Sequence, residues 1–149
     1  MSDELPRSVC AVIEVPKWSF IKRELHEGGG IDFVSPLPCP FNYGHVPGMQ
    51  AQDGDPMDAL VLGPRLAVGT KLELPVFAVV RFLDGGCSDD KLVLAEKCPG
   101  QAHILWIRTF FAVYTVAKKC LNTWRGIRGS TGLIRVERNG AWPASGYDR

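Results

Sequence analysis

Residues 53–62 read Asp-Gly-Asp-Pro-Met-Asp-Ala-Leu-Val-Leu, an acidic turn that runs directly into an apolar strand. Asp53 and Asp55 project to the same side of extended backbone, and Pro56 fixes a bend that brings Asp58 round to them. Two carboxylates about 6 Å apart repel by roughly 3 kcal/mol at an effective dielectric of 20. A hard divalent cation such as Mg²⁺ relieves this repulsion because it prefers oxygen ligands. This stretch therefore predicts a carboxylate-rich metal site.

A second acidic segment, residues 84–91, reads Asp-Gly-Gly-Cys-Ser-Asp-Asp-Lys. The two segments together hold six of the nine aspartates in the chain, so the carboxylates are concentrated rather than scattered. Glu14 and Glu24 lie on predicted strands, and Lys22 shares a strand face with Glu24. Lysines beside metal-binding carboxylates are expected where a phosphate anion is held against Mg²⁺.

Short runs of alternating or apolar residues predict β-strands over most of the first hundred residues. The predicted strands are 9–15, 20–25, 31–34, 58–62, 71–83 and 91–95. Four prolines predict an irregular loop over residues 35–48. One helix is predicted from about 103 to 122, and a further strand at 133–136.

Many short strands with one helix predict a mainly β (α+β) fold, a small barrel with one main helix packed on it. The helix carries a stripe at helical spacing, made up of Ile104, Ile107, Phe111, Tyr114 and Lys118. We interpret this stripe as core except at Tyr114, where a core role and a binding role both stay open. A length of 149 residues fits a single domain.

Composition argues against several classes of protein. A net charge of +1 gives no general attraction to nucleic acid or anionic membranes, and no apolar run reaches membrane-spanning length. The five cysteines form no CxxC pair, which favours a reducing cytoplasm over a disulfide framework or a zinc site. His26, His45 and His103 show no ligand spacing and are expected in loops or on the surface.

Five sequence blocks, in this order, give a resemblance to a known family: Val12–Lys17, Lys22–Glu24, Pro40–Gly44, Asp53–Leu62 and Asp84–Lys91. The chain resembles the soluble family I inorganic pyrophosphatases, for which the Asp-Gly-Asp-Pro-x-Asp segment is the signature. The resemblance covers roughly residues 9–95, and from residue 96 onward only residues 110–114 match a family block. It implies a small closed five-stranded OB-like barrel with one main helix packed on it. It also implies one pyrophosphatase-like domain over residues 1–149 with an atypical C-terminal part.

The resemblance implies Mg²⁺-dependent hydrolysis of pyrophosphate to two phosphates, with several Mg²⁺ ions in each site and a homo-oligomeric protein. Asp55 is then the general base that takes a proton from the attacking water. The implied metal ligands are Asp53, Asp58, Asp84, Asp89, Glu14 and Glu24. The implied substrate-binding residues are Lys22, Tyr43, Lys91 and Tyr114.

Three phosphate contacts of the family are missing, because Pro36, Cys39 and Thr115 stand where the family has arginine, tyrosine and lysine. Lys118, one helical turn beyond the tyrosine of the block at 110–114, is a candidate replacement for the lysine. Arg23 is a second candidate if its side chain reaches round from the opposite strand face.

Two other functions stay open at this stage. A diverged pyrophosphatase-like module would bind metal and phosphate with weak or no turnover, since the anion-binding half of the site is thinned. An OB-like nucleic-acid binder would use the basic residues between 118 and 138, although the acidic central chain argues against it.

Overall fold

The computed structural model describes residues 4–19, 21–23, 31–34, 38–52, 54–140 and 142, with backbone alone for 21–23 and 31–34. Its described part contains nine strands and one helix, in the order β1 Ser8–Val15, β2 Ile21–Arg23, β3 Ile31–Val34, β4 Asn42–Gln50, β5 Pro56–Val61, β6 Lys71–Asp84, β7 Cys87–Ser88, β8 Lys91–Leu94, α1 Gln101–Arg125 and β9 Gly132–Arg138.

Five strands close into a barrel in the order β1, β4, β5, β8, β6 and back to β1. All of these pairings are antiparallel except the one between β5 and β8, which is parallel. Closure leaves these strands without an open edge. Strands β2 and β3 form a separate antiparallel pair. The predicted five-stranded barrel with one helix is confirmed.

Strand β6 holds the barrel and the helix together. It pairs with β1 along its first part and with β8 and β9 along its second. Val79 packs inside the barrel with residues such as Ile13 and Leu92, whereas the adjacent Val80 packs on the side covered by the helix. This alternation follows from the two-residue period of a strand and gives the chain two layers of core.

Helix α1 runs further at both ends than the predicted range. It begins after Pro99-Gly100 and ends at Gly126, whose φ of 72° gives the left-handed backbone that stops a helix. Ile107 and Phe111 are fully buried against the barrel, as the predicted stripe requires. In the described residues, no helix combines the length and apolar character needed to cross a bilayer.

The loop predicted over residues 35–48 is wrong in its second half. Residues 42–50 form β4, which pairs with β1 and β5. Pro47 is tolerated because the pairing register shifts between Val46 and Gln50, and Gly48 adopts a φ of 79° there. At such a bulge the missing N–H of proline costs no ladder hydrogen bond. The proline count alone did not reveal this.

Candidate active site

Neighbouring strands bring three of the predicted site residues together at one end of the barrel. In the parallel pairing of β5 and β8, Asp58 stands opposite Lys91. On its other side, Asp58 stands opposite His45 of β4. Asp89 lies two residues before β8, so Asp58 and the second acidic segment meet here.

The Lys91 side chain lies between two carboxylates. Its Nζ donates to Oδ2 of Asp58 at 3.1 Å and to Oδ1 of Asp89 at 3.0 Å. It also lies 5.5 Å from the ring centroid of Tyr43, close enough for a cation–π contact. Burial alone would lower the pKa of Lys91, but Tyr43, Asp58 and Asp89 outweigh it and hold the pKa well above its usual value. Lys91 is therefore a buried, charged ammonium.

Asp84, the last residue of β6, is held by helix α1. Lys118 Nζ donates to its Oδ2 at 2.9 Å, and Asn122 Nδ2 donates to its Oδ1 at 2.8 Å. Burial would raise the pKa of Asp84, but the hydrogen bonds from Asn122 and Lys118 outweigh it, so the pKa lies below its usual value. Asp84 is an oriented carboxylate with a positive neighbour.

Two tyrosines flank these charges. Burial raises the pKa of Tyr43 well above its usual value, against the opposing effect of Lys91. Burial likewise raises the pKa of Tyr114, whose ring lies 5.9 Å from Lys118 Nζ. Both phenols therefore keep their protons at neutral pH and are able to donate a hydrogen bond to an anion.

A different pair forms beside Asp58. Nδ1 of His45 lies 2.8 Å from Oε1 of Glu14, and both side chains are largely buried. The expectation that His45 is a loop or surface residue is therefore wrong, because it lies on β4 with a carboxylate partner. Asp55, on the turn before β5, is exposed.

Several predicted site residues fall outside what the structure describes. Asp53, Glu24 and Pro36 lie outside the described residues, as do the side chains of Lys22 and Arg23.

Of the three positions at which the family's phosphate contacts are missing, the structure describes two, and neither offers a hydrogen-bond donor to phosphate. Cys39 is buried, and this burial raises the pKa of its thiol to about 11, so it is a neutral core thiol. The hydroxyl of Thr115 donates back to the Phe111 carbonyl oxygen at 2.7 Å, a bond within the helix.

The site suits a hard divalent cation by its donor chemistry. Asp58 and Asp89 both aim a carboxylate oxygen at one positive group, the Lys91 ammonium. Carboxylate oxygens are the ligands that Mg²⁺ and similar ions prefer. Among the described residues, no three His, Cys, Asp or Glu side chains are arranged to hold one ion.

Sequence reasoning missed Asn122 and gave no role to Asp90. Asn122 lies eight residues after Tyr114 and four after Lys118, so helical spacing alone places all three on one face. Asp90 follows Asp89 in the chain but turns away from the site. Its carboxylate accepts hydrogen bonds from the Arg81 guanidinium at 2.7 Å and from the Phe82 N–H at 3.2 Å.

Known proteins similar to this chain share the same description. It is 39% identical over 97 residues to soluble inorganic pyrophosphatase 2 of Chlamydomonas reinhardtii, covering 61% of this chain and 50% of that protein. It is 38% identical over 110 residues to the inorganic pyrophosphatase of Xanthomonas campestris, covering 67% of this chain and 62% of that protein. The chain thus spans between half and two thirds of the length of these curated relatives.

Structural comparison agrees. The crystal structure of inorganic pyrophosphatase from Thermus thermophilus superimposes with a TM-score of 0.74 and 26% identity, covering 94% of this chain and 87% of that one. The family model described as inorganic pyrophosphatase matches residues 11–135, which span the barrel, helix α1 and part of β9. With this match across most of its length, the chain belongs to the inorganic pyrophosphatase family.

Proposed function

We propose that this chain hydrolyses inorganic pyrophosphate to two phosphate ions with the help of divalent metal ions, and that the ion is Mg²⁺. The observation that carries the proposal is the convergence of Asp58 and Asp89 on Lys91. A second carboxylate–ammonium pair joins Asp84, at the end of β6, to Lys118 on helix α1. Acidic groups for metal ions and cationic groups for phosphate oxygens thus share one site.

The residues that would hold the ions are the carboxylates named from the sequence: Asp53, Asp58, Asp84, Asp89, Glu14 and Glu24. When bound, divalent ions neutralise charge on the phosphates and lower the pKa of water. In phosphoryl transfer little else is needed beyond positioning and charge neutralisation.

The chain's own residues would share the remaining work. Lys91 and Lys118 place ammonium groups where phosphate oxygens need neutralisation, and the neutral phenols of Tyr43 and Tyr114 donate hydrogen bonds. Lys22 would add a further contact. The water oxygen forms a new bond to one phosphorus while the bond from that phosphorus to the bridging oxygen breaks. Asp55, exposed on the turn before β5, would take the proton released by the water.

A second candidate function is a module that binds metal and phosphate with weak or no turnover. The observation that favours it is the state of Cys39 and Thr115, since a buried neutral thiol and a hydroxyl committed to the helix supply no phosphate donor. Such a module would bind Mg²⁺ and a non-hydrolysable pyrophosphate analogue in calorimetry, and it would release no phosphate when given pyrophosphate itself.

The experiment that tests the enzyme is a colorimetric assay of phosphate release from pyrophosphate, with and without millimolar Mg²⁺. Asp89→Asn and Asp90→Asn form a matched pair, because the two aspartates are adjacent and only Asp89 faces Lys91. Asp89→Asn should abolish most of the release, whereas Asp90→Asn, checked for folding, should retain it. Absence of Mg²⁺-dependent release by the unmodified chain would reject the enzyme.

Assembly and location are part of the same proposal. We propose a single-domain, homo-oligomeric protein of the cytoplasm. Support for self-association comes from apolar side chains exposed on α1, such as Leu105, Val113 and Val116. Support for a reducing compartment comes from all five cysteines being free thiols. Sedimentation equilibrium of the purified chain tests the oligomeric state.

A further inference from the structure

We propose that Asn122 is a positioning residue that fixes the carboxylate of Asp84 for its work in the site. This inference rests on the proposed function, in which Asp84 binds a metal ion. Asn122 does not face substrate itself and acts through Asp84.

The Asn122 carboxamide has no spare donor. The side chain is buried, and Nδ2 donates to Asp84 Oδ1 at 2.8 Å and to Thr131 Oγ1 at 3.1 Å. An NH₂ group has two hydrogens, so both are used. The Thr131 hydroxyl oxygen also accepts from the Gly85 N–H at 3.0 Å, which joins Asn122 to the residue that follows Asp84.

This anchor is part of a tight contact between two backbone segments. The chain after α1 crosses the turn that follows Asp84, and the Gly86 N–H donates to the Ser130 carbonyl oxygen at 2.8 Å. A Cβ added to Gly129 would lie 2.4 Å from the Gly85 carbonyl oxygen. Backbones this close leave the turn little freedom to move. The Thr131 hydroxyl that binds Asn122 therefore has a fixed position relative to the turn after Asp84.

The two carboxylate oxygens of Asp84 therefore have different hydrogen-bond partners, one neutral and one charged. Oδ1 is held by a neutral amide, while Oδ2 faces the Lys118 ammonium at 2.9 Å. Lys118 and Asn122 lie one helical turn apart, so α1 presents both groups together. A metal ion would compete with the Lys118 ammonium for Oδ2, and a phosphate would compete with Oδ2 for that ammonium. In both cases the Asn122 amide would continue to orient the carboxylate. Partners of this kind typically change metal affinity or activity by about 10- to 100-fold.

A double-mutant cycle tests the role. Asn122→Leu keeps the number and branching of the side-chain heavy atoms and removes the donor, and it is made both in the unmodified chain and in Asp84→Asn. Each of the four proteins is measured for its Mg²⁺ dissociation constant by calorimetry without substrate, and for the kcat and KM of phosphate release. If Asn122→Leu does not fold, Asn122→Ser is used in the same cycle.

We expect Asn122→Leu to weaken Mg²⁺ binding by about ten-fold or more, and to do so by less than about two-fold in the Asp84→Asn background. An equal cost in both backgrounds, or no cost in either, overturns the role. Thr123→Ala, at the exposed neighbouring position, should match the unmodified chain.

The proposed function fails separately, when the unmodified chain releases no phosphate. In that event the calorimetric cycle still decides the role of Asn122. If the unmodified chain also binds no Mg²⁺, both proposals are overturned.

Discussion

The ammonium nitrogen of Lys91 lies 3.1 Å from Oδ2 of Asp58, across the parallel pairing of β5 and β8. The Lys91 side chain is only 4% exposed, and its ammonium also donates a hydrogen bond to Asp89. A lysine buried this deeply stays charged because the two carboxylates compensate for lost hydration. It provides positive charge at the place where the proposed function puts metal ions.

Removal of Lys91 should therefore destabilise the metal-free protein and make it depend on Mg²⁺. Since the two carboxylates keep about a quarter of their surface exposed, we expect Lys91→Met to lower the free energy of unfolding by about 2 kcal/mol rather than the full cost of a broken buried pair. Millimolar Mg²⁺ should restore stability more in the variant than in the unmodified chain. Urea unfolding with and without Mg²⁺ measures this, with the exposed Lys97→Met as control. An equal Mg²⁺ effect on all three proteins contradicts the prediction.

Lys118 should carry the phosphate contact that Thr115 does not supply. The loss of one cationic contact from an oxyanion site costs about 2–4 kcal/mol in transition-state stabilisation. We expect Lys118→Ala to lower kcat/KM for pyrophosphate by 30-fold or more, in the range of about 30- to 1000-fold set by that energy. Lys119→Ala is the matched control, since its side chain is exposed. Equal activity of the two variants would show that Lys118 only neutralises Asp84.

Much of the fold could be predicted from the sequence because local pattern and tertiary context agree there. The apolar runs of β1 and β6 follow from burial of both strand faces. The helical stripe at Ile107 and Phe111 follows from burial of one helix face. Strand β4 could not be predicted in this way. Its pairing depends on β1 and β5 and on the bulge after Val46, which are not visible in a window of local sequence.

In the candidate site, too, some features could be predicted from the sequence and others depend on the tertiary fold. Clustered aspartates indicate a carboxylate site, because their repulsion needs compensation whatever the fold. The contacts of Asn122 and His45 depend on which residues the barrel places across from them, over separations of 38 and 31 residues. Asp90 is the opposite case, since its adjacency to Asp89 suggests a shared role that the structure does not give it. The Asp89 carboxylate faces Lys91, whereas the Asp90 carboxylate is bound by the Arg81 guanidinium and the Phe82 N–H.

Gly44 should be intolerant of any side chain. It pairs with Ile13 between β1 and β4, and an added Cβ would lie 1.9 Å from the Val12 carbonyl oxygen. We expect Gly44→Ala to lower the free energy of unfolding by more than about 3 kcal/mol, since backbone has to move and a barrel pairing is disturbed. Gly132→Ala in β9 is the control, because its added Cβ meets only Thr115 at 3.5 Å. Comparable urea midpoints for both variants would contradict the close approach.

Cys39 should make stability fall at alkaline pH. Burial raises the pKa of its thiol from 9.0 to about 11 in the folded chain. Because the thiol loses its proton more easily in the unfolded chain, rising pH favours unfolding. The contribution of the neutral Cys39 thiol to the free energy of unfolding is therefore complete below pH 9 and is lost as the pH rises towards 11. Over two pH units this amounts to about 3 kcal/mol.

Lys91 and Tyr43 also have pKa values raised well above their usual ones, so they too make the protein less stable as the pH rises. The comparison is therefore made with Cys39→Ala, which keeps both residues. In urea unfolding under reducing conditions, the stability advantage of the unmodified chain over Cys39→Ala should be constant from pH 7 to about 8.5 and should shrink steadily above pH 9. A constant difference up to pH 10.5 would mean that the thiol is hydrated in the folded protein, which its burial in the core between barrel and helix argues against.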